Sequence, residues 1–346
     1  MLKAKIKRYL SYLFRILIAA GALYLAFRGE DVGEVTKILL KINLWIFAAA
    51  LGLYIISQLI FVARWSLLLK AQSVEIGYWP AVRLLFLGLF YNNCLPSAVG
   101  GDLLRAWYVT KHTDRKLQAA LSVFVDRVIG LTGMLLMAFF FYWFIPAESR
   151  KGIFDFPFEI SFGKRLVEYR WVIAGIAAAS VAVILGFLLR EKGRLFLRRA
   201  AKFIVEISVK IISKTAVAIK LYCTKGWTII AAFLLTFCCQ GVFIIAVWLM
   251  GREIGITASV KYYFIFFSLS WLLSSLPISV GGAGITEWWL KVMFVKTCGL
   301  PGEYALALAL CQRILWLVGS LPGVVIHLMG AHLPKDFFID YEKPAN

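Results

Sequence analysis

The sequence reads LPSAVGGD at residues 95–102, and 181 positions later it reads LPISVGGA at residues 276–283. Both copies lie inside long apolar stretches, where a proline and two adjacent glycines interrupt a helix. A second pair of similar segments follows them: DRVIGLTG at 126–133 and QRILWLVG at 312–319. A membrane chain with two similar halves, each with a broken helix at a matching place, is typical of a transporter that binds its substrate between the halves.

The composition assigns the chain to a membrane. Apolar residues make up 61% of the 346 positions and charged residues 16%, against about 45–50% and about 25% in soluble proteins. The net charge is +19, but the basic residues lie mainly between apolar stretches, so membrane orientation and anionic lipid explain them better than nucleic acid does. The cysteines and histidines show no metal-site spacing, so we expect no metal and no cofactor.

The apolar regions predict an all-α polytopic membrane protein. A spanning helix needs about 20 apolar residues, and six regions are that long. Two further regions, 78–109 and 259–298, contain the Leu-Pro…Gly-Gly breaks, and each holds two legs of about 15 residues. We interpret them as re-entrant hairpins broken at membrane depth, with two short or tilted full spans as the alternative. The six predicted spans are 11–27, 44–69, 117–145, 171–190, 227–250 and 303–329.

The basic residues of the loops predict the orientation. The first ten residues carry four bases and no acid, and segment 190–226 carries ten bases and two acids. Because basic loops stay in the cytoplasm, we expect the N-terminus and 190–226 to be cytoplasmic, in a protein of the cytoplasmic membrane. Charged residues at every fourth position from Arg194 to Lys214, all basic except Glu206, also predict that 190–226 is an amphipathic helix on the inner leaflet, as a topology anchor or a lipid-gathering surface.

This orientation predicts two inverted repeats, each with three spans and one broken hairpin. The first repeat covers 1–160 and begins inside, the second covers 170–330 and begins outside, and 331–346 form a tail. The two breaks then enter the membrane from opposite sides. Inverted repeats of this kind give one structure two facing conformations, and hence alternating access.

Ionisable residues cluster around the two breaks, and an ionisable group at membrane depth is costly enough to indicate function. Asp102 and Arg105 share a helix face after the first Gly-Gly, as do Glu287 and Lys291 after the second. A single buried ion pair can also be structural, but the repetition of the pattern favours a substrate pathway. The candidate residues for substrate binding and translocation are Asn92, Pro96, Gly100, Gly101, Asp102, Arg105, Asp126, Arg127, Pro277, Gly281, Gly282, Glu287 and Arg313.

Other charged and aromatic residues fit an interface better. Arg64 and Arg83 lie near expected membrane boundaries, where a long basic side chain reaches the headgroups. Aromatic residues such as Trp65 and Tyr263 are interpreted mainly as parts of the interfacial belts.

The glycines predict an anion site. Glycine permits positive φ and close backbone approach, and a helix that restarts after Gly-Gly directs free N–H groups and its positive dipole end toward the break. Phosphate is the anion that membranes supply. Arg105, Arg127 and Arg313 can add charge-assisted hydrogen bonds to it, while nearby carboxylates position the arginines, or bind a cationic headgroup or a proton. Asn92 and Asn93 precede the first break and can satisfy its carbonyl groups.

These motifs together resemble the lysylphosphatidylglycerol synthase transmembrane (flippase-like) family over about residues 12–330. The resemblance implies a bacterial or archaeal membrane protein, and in fused members this region moves an aminoacylated phospholipid between leaflets while a separate soluble domain makes that lipid. We expect a stand-alone member without the synthase domain. The motifs that carry the resemblance are Gly88–Pro96 (GLFYNNCLP), Gly100-Gly101-Asp102, Arg105-Ala106, Asp126-Arg127-x-x-Gly130 and Leu276-Pro277-x-Ser279-x-Gly281-Gly282-x-Gly284-x-x-Glu287.

The leading hypothesis is therefore an ATP-independent flippase for an anionic or aminoacylated phospholipid or a polyprenyl-phosphate-linked lipid. It is not expected to be an enzyme, because the sequence has no P-loop and no hydrolase motif. The expected partners are membrane lipids and a separate lipid-modifying enzyme, with no nucleic acid. Two alternatives remain: a membrane-embedded transferase that uses a lipid-linked sugar, and a non-transporting accessory subunit.

Overall fold

The computed structural model describes residues 16–94, 100–111, 113, 115–145, 226–275 and 281–331. All of these belong to one compact unit, which comprises residues 1–153 and 225–346. Several predictions lie outside the described residues: the span at 171–190, the amphipathic connector at 190–226, almost all of the tail, and Pro96 and Pro277.

All regular structure within the described residues is helical, as predicted. Among the described residues, four helices are long and apolar enough to cross a membrane, and they coincide with four of the predicted spans. Each Leu-Pro…Gly-Gly segment has one shorter helix on either side. In chain order the helices are α1 (Ile16–Phe27), α2 (Val32–Leu40), α3 (Leu44–Ala71), α4 (Tyr78–Cys94), α5 (Gly100–Lys111), α6 (Lys116–Trp143), α7 (Gly226–Glu253), α8 (Val260–Ser274), α9 (Ile285–Cys298) and α10 (Gly302–Ile326).

Local sequence explains where several helices begin and end. The Asn43 side chain accepts a hydrogen bond from the Trp45 N–H at 2.9 Å, which caps the start of α3. Asp31 caps α2 in the same way, through the Gly33 N–H at 2.7 Å. Gly299 ends α9 with a φ of +65°, a left-handed conformation that glycine adopts at little cost.

The helices repeat in order and in length. A long helix, a short helix, a break, a short helix and a long helix make up α3–α6, here the first helix set, and again α7–α10, the second helix set. Leu44 and Gly226, which begin the two sets, are 182 residues apart, and so are Tyr78 and Val260. The repeat that the octapeptides indicated therefore extends over whole helices.

The two sets pack on each other reciprocally. The first helices of the sets, α3 and α7, lie along each other, α6 packs against α8, and α10 packs against α4. The start of α3 meets the end of α7, because the Asn43 N–H donates to Glu253 Oε1 at 3.1 Å. Later in α3, Arg64 donates to Thr236 at 2.9 Å. From Asn43 to Arg64 the chain runs forward along α3, whereas the partner residues in α7 run backward from Glu253 to Thr236. The two helices are therefore antiparallel.

The core is rich in aromatic residues, and it corrects two predictions. Trp65 and Tyr263, interpreted from the sequence as interfacial, are fully buried. Tyr263 instead packs against Phe267 and Phe294, with ring centroids 5.9 and 4.9 Å apart. Hydropathy alone does not separate an aromatic ring at a membrane surface from one between helices, because both positions favour the same side chains.

Candidate functional site

A cavity of about 220 Å³ lies where the two helix sets meet. Helices of both sets contribute to its wall, including the last residues of α4, the start of α5 and the end of α8. Six of the residues predicted from the sequence line it: Asn92, Asp102, Arg105, Asp126, Arg127 and Gly281.

Five charged side chains form a continuous arginine–aspartate network along one wall of this cavity. Asp126 accepts a hydrogen bond from Arg64 Nε at 2.9 Å and lies 3.7 Å from Arg105 Nη2. Asp102 accepts from Arg105 Nη1 at 3.2 Å and from Arg127 Nε. Each aspartate therefore faces two guanidinium groups. Because three arginines face two aspartates, the network carries one net positive charge.

Burial differs along the network. The side chains of Arg64, Arg105 and Asp126 are 2% exposed, whereas Arg127 is 32% exposed. Charges as buried as the first three are stable only with partners, since removing one partner leaves an uncompensated charge. Arg127 combines a charged partner with access to the cavity, so it is the member of the network best placed to contact a ligand.

Aromatic rings support the buried arginines. The Arg105 guanidinium lies 4.0 Å from the Trp65 ring centroid, and that of Arg64 lies 4.5 Å from the Phe61 centroid. Such cation–π contacts favour the charged form of a desolvated guanidinium. The interpretation of Arg64 as an interfacial side chain is therefore wrong: its pairing with Asp126, 62 residues away in sequence, carries no local signal. Arg83 is exposed, which agrees with its interpretation.

The first break brings α4 and α5 into close contact through glycine. A Cβ atom on Gly101 would collide with the carbonyl oxygen of Gly88 and lie 2.9 Å from the Asn92 side chain. The Gly101 N–H donates to Asn92 Oδ1 at 2.7 Å. Asn92 thus satisfies an N–H of the restarting helix.

The second break uses glycine for its backbone conformation. Gly281, Gly282 and Gly284 have φ values of +55°, +72° and +81°. Residues that carry a Cβ atom rarely adopt such positive φ values. The Gly284 N–H donates to Glu287 Oε2 at 2.7 Å. The expectation that the helix ends offer free N–H groups to an anion is therefore wrong for Gly101 and Gly284, because a side chain of the protein already occupies each of them.

Glu287 and Arg313 form the counterpart of the Asp102–Arg127 pair. Arg313 Nε donates to Glu287 Oε1 at 2.6 Å, and Arg313 Nη1 donates to the Gly281 carbonyl at 3.0 Å. In each set, an acid one or five residues after the paired glycines (Asp102 or Glu287) binds an arginine of the next long helix. Lys291 lies four residues after Glu287 in the same helix, as expected, and its side chain pairs with Glu30 at 2.5 Å.

The two acid–arginine pairs differ in what they face. Asp102 and Arg127 line the cavity, whereas Glu287, Arg313, Gly101 and Gly282 do not. Gly281 connects the second pair to the wall, since it lines the cavity while its carbonyl binds Arg313. The structure therefore brings about half of the predicted site residues into one cavity and leaves the second pair behind its wall.

The rest of the wall combines uncharged polar side chains with aromatic rings, and apart from Asn93, which precedes the first break, none of them was a candidate from the sequence. Isolated serines and amides inside apolar helices are the signal that points to them, because a polar side chain inside a membrane helix usually faces the bundle interior. The polar members are Ser57, Gln58, Asn93, Gln240, Ser274 and Ser275, and the aromatic members are Tyr54, Phe61, Phe243, Trp271 and Trp316.

The part of the chain that the structure describes contains no group of three histidine, cysteine, aspartate or glutamate side chains able to hold a metal ion. The cavity wall offers hydrogen-bonding side chains, guanidinium groups and aromatic rings. Such a wall can bind and orient a polar group, and it can exclude lipid from that group.

Known sequences similar to this chain match it over most of its length. Residues 12–323 match the family described as the lysylphosphatidylglycerol synthase TM region. The chain is 24% identical to the UPF0104 membrane protein MJ1595 of Methanocaldococcus jannaschii, with 94% of this chain and 95% of that protein covered. UPF0104 membrane proteins of Methanothermobacter thermautotrophicus and Pyrococcus horikoshii are each 22% identical, with 92% of this chain and 96% of each protein covered.

Proposed function

The chain belongs to the family of the lysylphosphatidylglycerol synthase transmembrane region, and from this premise we propose that it moves a phosphate-bearing lipid headgroup across the membrane without ATP. The observation that carries the proposal is the cavity between the two helix sets, with a net positive arginine–aspartate network in its wall. A buried cationic wall suits a phosphate ester, because guanidinium groups form charge-assisted hydrogen bonds with phosphate oxygens. The acyl or prenyl tails stay in the bilayer.

The two helix sets are inverted repeats in this proposal. Their first helices, α3 and α7, occupy equivalent places and are antiparallel. The reciprocal packing of α6 on α8 and of α10 on α4 supports an approximate two-fold relation between the sets. A two-fold axis that reverses equivalent helices lies in the membrane plane, which is the arrangement that alternating access requires.

The unequal exposure of the two acid–arginine pairs supports alternation. The Asp102–Arg127 pair faces the cavity, and its equivalent, Glu287–Arg313, lies behind Gly281. In an inverted repeat, the second conformation exchanges the environments of equivalent groups. Glu287 and Arg313 then face the headgroup after the change, while Asp102 and Arg127 are covered.

A transferase requires a carboxylate that is free to act as a base or to hold a metal. The two aspartates of the cavity wall each face two arginines, so both carboxylates are already engaged. This arrangement favours translocation over group transfer.

The variants Arg127→Gln and Glu287→Gln are both expected to transport lipid more slowly than the wild type. Each removes a charged partner from one pair, so we expect lipid movement to fall about tenfold or more, as expected for the loss of an ionic hydrogen bond of about 1.5–3 kcal/mol. The measurement is dithionite quenching of fluorescent phospholipid in proteoliposomes. Arg252→Gln serves as the control, because Arg252 is exposed at the end of α7. Wild-type rates for both test variants, with folding intact, would overturn the site assignment.

A further inference from the structure

The charge balance of the cavity discriminates between lipid headgroups. Asp102 and Asp126 are the cavity-lining carboxylates among the described residues, and arginines surround both. An ammonium group that enters this space finds no unengaged carboxylate and meets a wall with a net positive charge. A positively charged ammonium group close to the arginines is strongly repelled once water is excluded from the space between them. A cationic headgroup is therefore disfavoured.

The unsatisfied polar atoms of the wall indicate what a ligand must supply. Among the cavity-lining residues that the structure describes, the buried side-chain atoms without a hydrogen-bond partner are Nε and Nη2 of Arg105 and Nε1 of Trp271. All three atoms are donors, and neither residue type can accept a hydrogen bond. Arg105 is 2% exposed. Buried donors without partners are costly, and they leave this wall with an excess of donors over acceptors. A headgroup rich in acceptor oxygens complements that excess better than an ammonium group, which only donates.

The uncharged part of the wall extends the same chemistry. Ser57, Gln58, Gln240, Ser274 and Ser275 offer hydroxyl and amide groups that both donate and accept. These groups suit hydroxyls of a polyol, which also donate and accept, and they have no preference for an ammonium group, which only donates. The aromatic rings beside them present apolar faces to the carbon atoms between the hydroxyls.

We infer that the headgroup is a phosphate ester whose remaining part is uncharged and hydroxylated, and that aminoacylated and other ammonium-bearing headgroups are rejected. This inference rests on the proposed function and deepens it. The negative phosphate lies near Arg105 and Arg127, and the hydroxylated part lies against the serine and amide side chains of α3, α7 and α8.

The test compares three fluorescent lipids with identical acyl chains in proteoliposomes: phosphatidylglycerol, phosphatidylethanolamine and lysyl-phosphatidylglycerol. We expect phosphatidylglycerol to move at least tenfold faster than either ammonium-bearing lipid. Equal or faster movement of lysyl-phosphatidylglycerol overturns the inference and leaves the proposed transport standing. If no lipid moves, the proposed transport fails, and binding of short-chain labelled lipids to purified protein decides the inference: tighter binding of phosphatidylglycerol supports it, and equal or weaker binding overturns it.

Two variants test whether this cavity determines the preference for phosphatidylglycerol. Gln240→Glu adds a carboxylate to the wall and brings the cavity charge close to neutral, so we expect the preference for phosphatidylglycerol over lysyl-phosphatidylglycerol to fall at least tenfold. Trp271→Phe keeps an aromatic ring but removes the Nε1 donor, and we expect phosphatidylglycerol binding to weaken at least threefold. Trp227→Phe is the matched control, because Trp227 is 79% exposed and outside the cavity. An unchanged preference in folded Gln240→Glu protein contradicts the inference.

Discussion

Asp126→Asn is expected to destabilise the fold by about 3–5 kcal/mol, the cost of removing one partner from a buried ion pair. Asp126 is 1% exposed and lies between Arg64, at 2.9 Å, and Arg105, at 3.7 Å. The substitution conserves shape but leaves two buried guanidinium groups with less compensating charge. Equilibrium unfolding in mixed detergent micelles measures the change in the free energy of unfolding.

Two further variants distinguish the loss of this buried ion pair from the loss of any carboxylate. Glu34→Gln breaks an ion pair with Lys37 at 2.6 Å whose side chains are more than half exposed, and it should leave the free energy of unfolding nearly unchanged, because exposed ion pairs are screened by water. The double variant Arg64→Met with Asp126→Leu removes both members of the Arg64–Asp126 pair, and it should recover part of the lost stability. If the Asp126→Asn protein is as stable as the wild type, then the paired charges of the network do not stabilise the fold.

Gly101→Ala is expected to destabilise the protein by about 1–3 kcal/mol or more, the range for forcing extra atoms into a packed interior, and to reduce transport. The added methyl group meets the Gly88 carbonyl, which is backbone and cannot rotate away, and the Asn92 side chain that binds the Gly101 N–H. Helices α4 and α5 must move apart, which displaces Asp102 and Arg105 from the cavity wall. Thermal unfolding and the proteoliposome assay measure the two effects.

Gly52→Ala is the matched control for this substitution. Gly52 also lies inside a helix, α3, but a Cβ atom there meets nothing within 4 Å. Alanine is the better helix former by about 0.5–1 kcal/mol, so this variant should be as stable as the wild type or slightly more stable. Equal stability of Gly101→Ala and Gly52→Ala would refute the close approach of α4 and α5.

Much of the site could be predicted because its residues follow recognisable interruptions of apolar sequence. An acid or arginine directly after Leu-Pro…Gly-Gly is unusual, and this signal identified Asp102, Arg105 and Glu287. The helices at 78–94 and 260–274 also end where the motif predicts. The same reasoning missed Arg64 and Thr236, which hydrogen-bond to each other at 2.9 Å across 172 residues of sequence.

The helix-end prediction shows where reasoning from local sequence stops. A Gly-Gly segment before a helix does provide N–H groups, but whether a ligand can reach them depends on which side chains lie beside them. Asn92, nine residues before Gly101, and Glu287, three residues after Gly284, occupy these positions. Burial of polar backbone groups favours partners from within the protein, and the arginines are left as the groups that face the cavity.

The sequence by itself determined the membrane character, the long helices, the two breaks and the duplicated order, because hydropathy, proline and glycine act over a few neighbouring residues. Only the tertiary structure decided that α3 and α7 are antiparallel, that Arg64 is buried on Asp126, and that Asp102–Arg127 faces the cavity while Glu287–Arg313 does not. These features depend on which helix faces meet. Ion pairing and burial join residues far apart in the chain, and no local pattern encodes that choice.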